Sequence, residues 1–400
     1  MQPLPTYAQA LDASLAITKA TTVVESVSLQ EASNRILAND IVADRDFPPF
    51  HRSQMDGYAV LAQEVGEGIS MEVIGQVSAG STFDGEHETK TCVEIATGAS
   101  VPHCFDAVVP HEQTDSGEQQ VVFNCESVHS GACIHPQGVD AKAGEVLVGT
   151  NTTLKPQHIA IAASVGIANV DVCSKPRVII ISSGDEVVSV DEIPLPHQIR
   201  NSNNALVCAA FESMGCTVVV SHHVNDEEEL TSRCIEESVD SRADLVVTIG
   251  GISAGKKDYF PIAFERTGVV LAVKGVQMQP GRPVIVGRNN HAMVIGLPGN
   301  PVSAIACGCL FGWPIVRGLF GVPTELPWQS TSLHEGVTPN PHRCAFRPCT
   351  FVDGNVSIPR WQGSGDLSHT STTNGLVQLP ASEHELQAGA KVKFLPYPWA

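Results

Sequence analysis

The spacing of apolar and polar positions changes character along the chain, and each change predicts a different kind of element. Residues 5–20 have the spacing of an amphipathic helix, and residues 30–38 predict a second, shorter one. Asp46-Phe47-Pro48-Pro49-Phe50 predicts an extended connector, because each proline bars helix in the residue before it. Asp56-Gly57 predicts a turn. From residue 60 to about 148, short β-type runs at 71–77, 92–95, 107–110 and 120–125 are separated by Gly, Asp and Ser. Pro156 then opens a helix over 158–164 that Gly166 stops. This helix is expected to return and pack with the N-terminal helices, so that the β segment is an insertion.

Residues 178–182 form a continuous apolar run, as in a strand buried on both faces. A helix over 203–214, a strand over 217–221, a helix over 226–239 and a strand over 245–249 follow. Asp226 and Glu229 stand at capping-box spacing at the start of the second of these helices. A further strand at 291–295 leads through Pro298-Gly299-Asn300-Pro301 into a helix over 302–320. Buried strands alternating with helices imply a parallel, doubly wound sheet with right-handed crossovers. Short β runs return at 344–352, 356–359, 376–379 and 391–395. The expected architecture is α/β multidomain. A discontinuous helical or mixed N-terminal domain holds residues 1–46 and 141–175, and a small β domain of 47–140 is inserted in it. A central, mostly parallel α/β domain takes 176–324, and a C-terminal β domain takes 325–400.

In an open α/β sheet, ligands bind outside the carboxyl ends of the strands. The loops 183–186, 250–258 and 296–303 all follow strands and should gather at that edge. They carry Glu186, Asp258 and the Gly-rich Gly250-Gly251-x-Ser253-x-Gly255, with Asp226 on a neighbouring loop. Hard oxygen donors that leave room for water suit Mg²⁺ bridged to a phosphate. Asp226 is better explained as a helix cap than as a metal ligand, and the plain alternatives are a second cap for Asp258 and a solvated loop charge for Glu186. Pro301 fits a first helical turn with Asn300 at the N-cap, and a helix N-terminus behind Pro298 and Gly299 makes an anion site. Arg282, on the Pro280-Gly281-Arg282-Pro283 turn, is a candidate oxyanion ligand or a surface cation. Asp56 and Thr97 lie on turns of the β segment. No Walker loop, dinucleotide fingerprint, HExxH or GxSxG motif occurs.

The formal net charge of −19 over 400 residues argues against nucleic acid or an acidic membrane as partner. The most apolar window, 292–316, is too interrupted by Pro and Asn to predict a membrane span. The first 19 residues do not resemble a signal peptide and no CxxC occurs, so the twelve cysteines read as reduced thiols of a cytoplasmic protein.

Taken in order, several segments resemble the MoeA family of molybdopterin molybdenumtransferases. They are Pro48-Pro49-Phe50, Met55-Asp56-Gly57-Tyr58-Ala59, Thr97-Gly98-Ala99, Ser182-Ser183-Gly184-Asp185-Glu186, and Gly250-Gly251 through Asp258-Tyr259. Pro280-Gly281-x-Pro283, Leu297-Pro298-Gly299-Asn300-Pro301-Val302-Ser303-Ala304 and Gln362-Gly363-Ser364-Gly365 complete the set. The resemblance implies a molybdopterin-binding-like central domain in an elongated homodimer. It implies Mg²⁺-dependent insertion of molybdate into adenylylated molybdopterin with release of AMP, and a partner that delivers the adenylylated pterin. It implies that Glu186, Asp226 and Asp258 hold the metal, with Asp56 and Thr97 acting from the other subunit. Arg282, Ser303 and Arg347 would line the oxyanion pocket. Gln279 and Asn201 stand where the family usually has Lys and Asp, which leaves a non-catalytic molybdopterin-binding or scaffold paralogue as the alternative. A nucleotide pyrophosphatase, needing only the metal and phosphate elements, is a third option.

Overall fold

A computed structural model describes residues 3–20, 23–253, 255, 257–360 and 363–400. Gln362, which belongs to one of the quoted motifs, lies outside the described residues, as do Ala254 and Lys256. The chain forms two compact units, residues 1–25 with 173–400, and residues 26–172.

The larger unit is built on a six-stranded sheet. Its strands are β1 (Arg177–Ser183), β2 (Thr217–Val224), β3 (Leu245–Ile249), β4 (Val270–Lys274), β5 (Ile285–Arg288) and β6 (Met293–Leu297), in the spatial order β2-β1-β3-β6-β5-β4. The first four in that order run parallel, and β5 and β4 pair antiparallel at the other edge. Val178 to Ile181 are at most 2% exposed, as the unbroken apolar run requires of a strand covered on both faces. The covering helices include α2 (Ser202–Ser213), α3 (Glu228–Asp240) and α4 (Phe260–Arg266). A buried cluster joins Ile179 and Ile181 to Ile235, Val239, Phe260 and Phe264 on α3 and α4.

Pro301 to Leu319 is one helical segment with a π turn at Gly308–Gly312. By length and composition it resembles a membrane span, yet most of it is buried inside the unit, so its apolar surface is core. Phe311 is 0% exposed and meets the Tyr7 ring edge-on at 5.6 Å. Phe311→Ala is expected to lower the urea unfolding free energy by about 4 kcal/mol, with m unchanged.

The C-terminal strands close on themselves. Cys344–Val352 pairs with Asn355–Ser357 on one side and with Gly375–Leu379 on the other. Gln329–Leu333 and Lys391–Pro396 complete the ring, giving a β-barrel. The two-residue strand Met278–Gln279 adds to it, parallel to Cys344 and Ala345.

In the smaller unit a five-stranded sheet has the order Ala107–Pro110, Gly57–Val60, Thr91–Ile95, Ser70–Val77, Gln120–Val122. Gly57 begins a strand and does not form the turn expected of Asp56-Gly57. A Cβ there would lie 2.0 Å from the Val109 carbonyl oxygen, so the glycine serves close strand approach.

Two further expectations are corrected. Residues 30–38 are not helical. Asn34 adopts φ +62°, and Ile36 and Leu37 are bridged to Thr153 and Val172, so their apolar side chains are buried without a helix face. The larger unit's first helix, α1 (Tyr7–Ala16), is grouped with residues 173–400, whereas Pro156–Ser164 falls in the smaller unit. The helix α1 packs on β4 and on Trp313–Leu319, with Tyr7 also against Phe346 of the barrel at 5.0 Å.

Candidate functional site

The Ser183–Glu186, Gly250–Asp258 and Pro298–Pro301 loops do gather at the carboxyl ends of β1, β3 and β6, around a cavity of ≈ 900 Å³. Glu186, Asp226 and Asp258 line it, with Gly250, Gly251, Ser253, Gly255, Gly299 and Pro301. A second cavity of ≈ 500 Å³ is lined by Gln279, Arg282, Ser303, Arg343, Arg347 and Ser364. Pro283, Pro298 and Asn300 border both.

Local structure explains how the carboxylates are placed. The strand β1 ends at Ser183, and Gly250 and Gly251, with φ of +81° and +58°, turn the chain out of β3. A Cβ on Gly251 would lie 2.8 Å from the Phe260 ring, so that turn admits only glycine. Asp258 closes the same loop. Its Oδ2 accepts the Gly255 N–H at 2.5 Å, leaving Oδ1 uncommitted by that bond. It does not cap α4, whose N-cap is Tyr259.

Asp226 is not a cap either. The helix α3 starts one residue later, at an N-cap Glu227 with no side-chain cap bond. The Asp226 N–H instead donates to Asp185 Oδ1 at 3.0 Å. Asp226 lines the cavity. Burial, followed by the charges of Asp185 and Glu186, raises its pKa. Asp185 moves the other way, held low mainly by its 2.5 Å ion pair with Lys257.

A raised carboxyl pKa means the folded state binds the proton more tightly than the unfolded one. Stability from this group falls as pH rises through the folded value, so at neutral pH its ionised form is a cost. Asp226→Asn is expected to raise the melting temperature of the ligand-free protein at pH 7 by a few degrees, and not at pH 3. Equal melting temperatures at pH 7 would show that the crowding is relaxed by solvent.

Asn201 caps α2, its Oδ1 accepting the Asn204 N–H at 3.2 Å while its Nδ2 donates to Ser182 Oγ at 2.8 Å. Asn300 occupies the N-cap position of Pro301–Cys307, yet its side chain makes no cap bond. Its Nδ2 donates to Ser364 Oγ at 2.9 Å, and the Val302 N–H donates to the Ser364 carbonyl at 3.1 Å. One of the free N–H groups expected to receive an anion is thus already used. Ser303, 3% exposed, remains at the second cavity.

Arg343, Gln279 and Ser364 join this cavity without having been singled out as ligands. Arg343 and Arg347 are four residues apart at a strand, so period-two alternation puts both on one face, a signal present in the sequence. Burial lowers the Arg347 pKa, and its Nη2 donates to the Thr338 carbonyl at 3.3 Å.

Asp56 and Thr97 belong to the smaller unit. Asp56 Oδ1 accepts the Thr97 N–H at 2.7 Å, and this bond, ahead of the nearby His111, keeps the Asp56 carboxyl below its usual range.

Among the described residues, no three His, Cys, Asp or Glu side chains form a group that could hold a metal ion unaided. Glu186, Asp226 and Asp258 are an open set of oxygen donors. That set fits Mg²⁺, which keeps several waters and is usually held by one or two carboxylates together with substrate phosphates.

Models of the MoeA N-terminal region (domain I and II), a probable molybdopterin binding domain and the MoeA C-terminal region (domain IV) match residues 5–166, 179–318 and 331–397. The molybdopterin molybdenumtransferase of Haemophilus influenzae is 34% identical over 387 residues, 94% of each chain. That of Synechocystis sp. is 35% identical over 372 residues, 91% of this chain and 92% of the other. A solved structure of the molybdopterin biosynthesis moeA protein from Pyrococcus horikoshii superposes with a TM-score of 0.86 at 26% identity, covering 99% of this chain and 100% of that one.

Proposed function

Because the chain belongs to the MoeA family, we propose that it is a molybdopterin molybdenumtransferase that inserts molybdate into adenylylated molybdopterin and releases AMP. The observation that carries this reading is the pair of cavities with a common wall. One offers three carboxylates, Arg200, Lys257 and Gly-rich backbone, the other three arginines and two serines.

In this reading Glu186, Asp226 and Asp258 would hold Mg²⁺, which would supply Lewis-acid stabilisation of phosphate charge in the same cavity. The Gly250–Gly255 loop lies along the same cavity and offers backbone donors to phosphate. Arg282 and Arg347 neutralise the molybdate dianion, and the Ser303 and Ser364 hydroxyls donate to its oxygens. The wall formed by Pro298 and Asn300 keeps the oxyanion beside the pyrophosphate. Homodimerisation belongs to the same reading, with Asp56 and Thr97 serving the substrate held by the opposite copy. A cytoplasmic location belongs to the same reading, and molybdenum finds its sulfur ligands on the pterin.

Purified protein supplied with adenylylated molybdopterin, molybdate and Mg²⁺ should release AMP and reconstitute an apo-molybdoenzyme. Pterin nucleotide binding with neither product would overturn the enzymatic reading and leave the binding paralogue.

A further inference from the structure

We propose that Gln279 is a specificity-determining hydrogen-bond donor to the bound oxyanion, and that Asn340 is the positioning residue that fixes its amide. This rests on reading the second cavity as the oxyanion cavity. Gln279 lines that cavity, and its backbone is held to the barrel by pairing with Ala345. Its Oε1 accepts the Nδ2–H of Asn340 at 2.8 Å.

The direction of that bond is set from behind. Asn340 Oδ1 accepts two backbone N–H groups, from His342 at 2.9 Å and Arg343 at 3.0 Å. With its oxygen so engaged, Asn340 can present only its NH₂ to Gln279. The Gln279 oxygen must then face Asn340, and the end left for a ligand is Nε2–H₂, a donor only. The 340–343 turn is itself tied down, because Gln277 Nε2 donates to the His342 carbonyl at 3.2 Å.

The consequence is chemical selectivity. Arg282, Arg343 and Arg347 donate and do not accept, and among the described residues no carboxylate lines this cavity, so its side-chain acceptors besides Gln279 are the Ser303 and Ser364 hydroxyls and the Asn300 amide oxygen. With the Gln279 oxygen turned away, one more acceptor is removed. A fully deprotonated tetrahedral dianion such as molybdate then meets donors at its oxygens. Hydrogen phosphate carries an O–H that needs an acceptor, and burying it unpaired is costly.

Asn340→Asp is the discriminating variant. Its carboxylate still accepts the two turn N–H groups but offers no donor. The Gln279 amide then rotates to donate to that carboxylate, and Oε1 turns to the ligand.

The test is calorimetric titration of the full-length protein with molybdate and, separately, with phosphate. Wild type, Gln279→Leu, Asn340→Asp and the double variant are compared, with thermal melts to confirm folding. Gln279→Leu should bind molybdate roughly tenfold more weakly, the loss of one hydrogen bond to a charged group. Asn340→Asp should also weaken molybdate binding and narrow its preference over phosphate. In the Gln279→Leu background, Asn340→Asp should add little, because its effect passes through the amide. Additive losses would show that the introduced carboxylate acts by charge alone and would overturn the positioning role. Should the Gln279→Leu variant fail to fold, Gln279→Glu keeps the acceptor for Asn340 and replaces the donor by an oxygen, and must cost still more affinity. Wild-type affinity in these variants overturns this inference alone. Absence of molybdate binding by the wild type overturns the parent reading as well.

Discussion

Glu186→Ala combined with Asp258→Asn is expected to lower Mg²⁺-dependent AMP release by roughly 10³-fold, a loss of about 4 kcal/mol of transition-state stabilisation. The asparagine is chosen because its Oδ1 can still accept the Gly255 N–H that Asp258 takes, so the loop keeps its closing bond. Glu186 is solvent-exposed and caps no helix, so its removal disturbs little besides charge. Each single variant should be partly rescued by more Mg²⁺, since two carboxylates remain. The double variant should not be. Turnover at the wild-type rate would remove these residues from the reaction, whatever the family resemblance.

Arg347→Ala is expected to raise KM for molybdate about 100-fold while kcat changes far less. Its guanidinium is partly buried, and burial lowers its pKa, so the cation sits where water supports it poorly and an oxyanion counterion gains most. Arg347→Lys should recover part of the affinity, because charge returns without the planar fork. A fall in kcat at unchanged KM would instead place Arg347 in the chemical step. Initial rates over a range of molybdate concentrations separate the two outcomes.

The buried strands and their loops were legible because their residues obey one local rule. The run from Val178 to Ile181 is apolar without a break, and only a doubly covered strand tolerates that. A parallel sheet then sends every strand-following loop to one edge, so the order of residues alone groups Glu186, Asp258 and Pro298. Where two local rules competed, tertiary contacts decided. Asp226 and Glu229 have capping-box spacing, yet Asp185 takes the Asp226 N–H and α3 begins one residue late. Asn300 has the residue type and place of a cap, but Ser364, far along the chain, takes its amide. Gln279 carries no charge and matches no motif. Its role depends on Asn340, sixty-one residues away, whose orientation is fixed by its own turn.

The thin partition of Pro298 and Asn300 has an energetic meaning. Two ligands on either side of one wall share its conformational states, so each alters the binding constant of the other by the same factor. Asn300 is tethered to Ser364, which also borders the arginine cavity, and any shift forced by one occupant is transmitted to its neighbour's lining. Loading is therefore a coupled equilibrium. In the proposed reading, whatever factor saturation with the adenylylated pterin applies to the apparent affinity for molybdate, molybdate applies to retention of the pterin, and the order of addition drops out of the final occupancy.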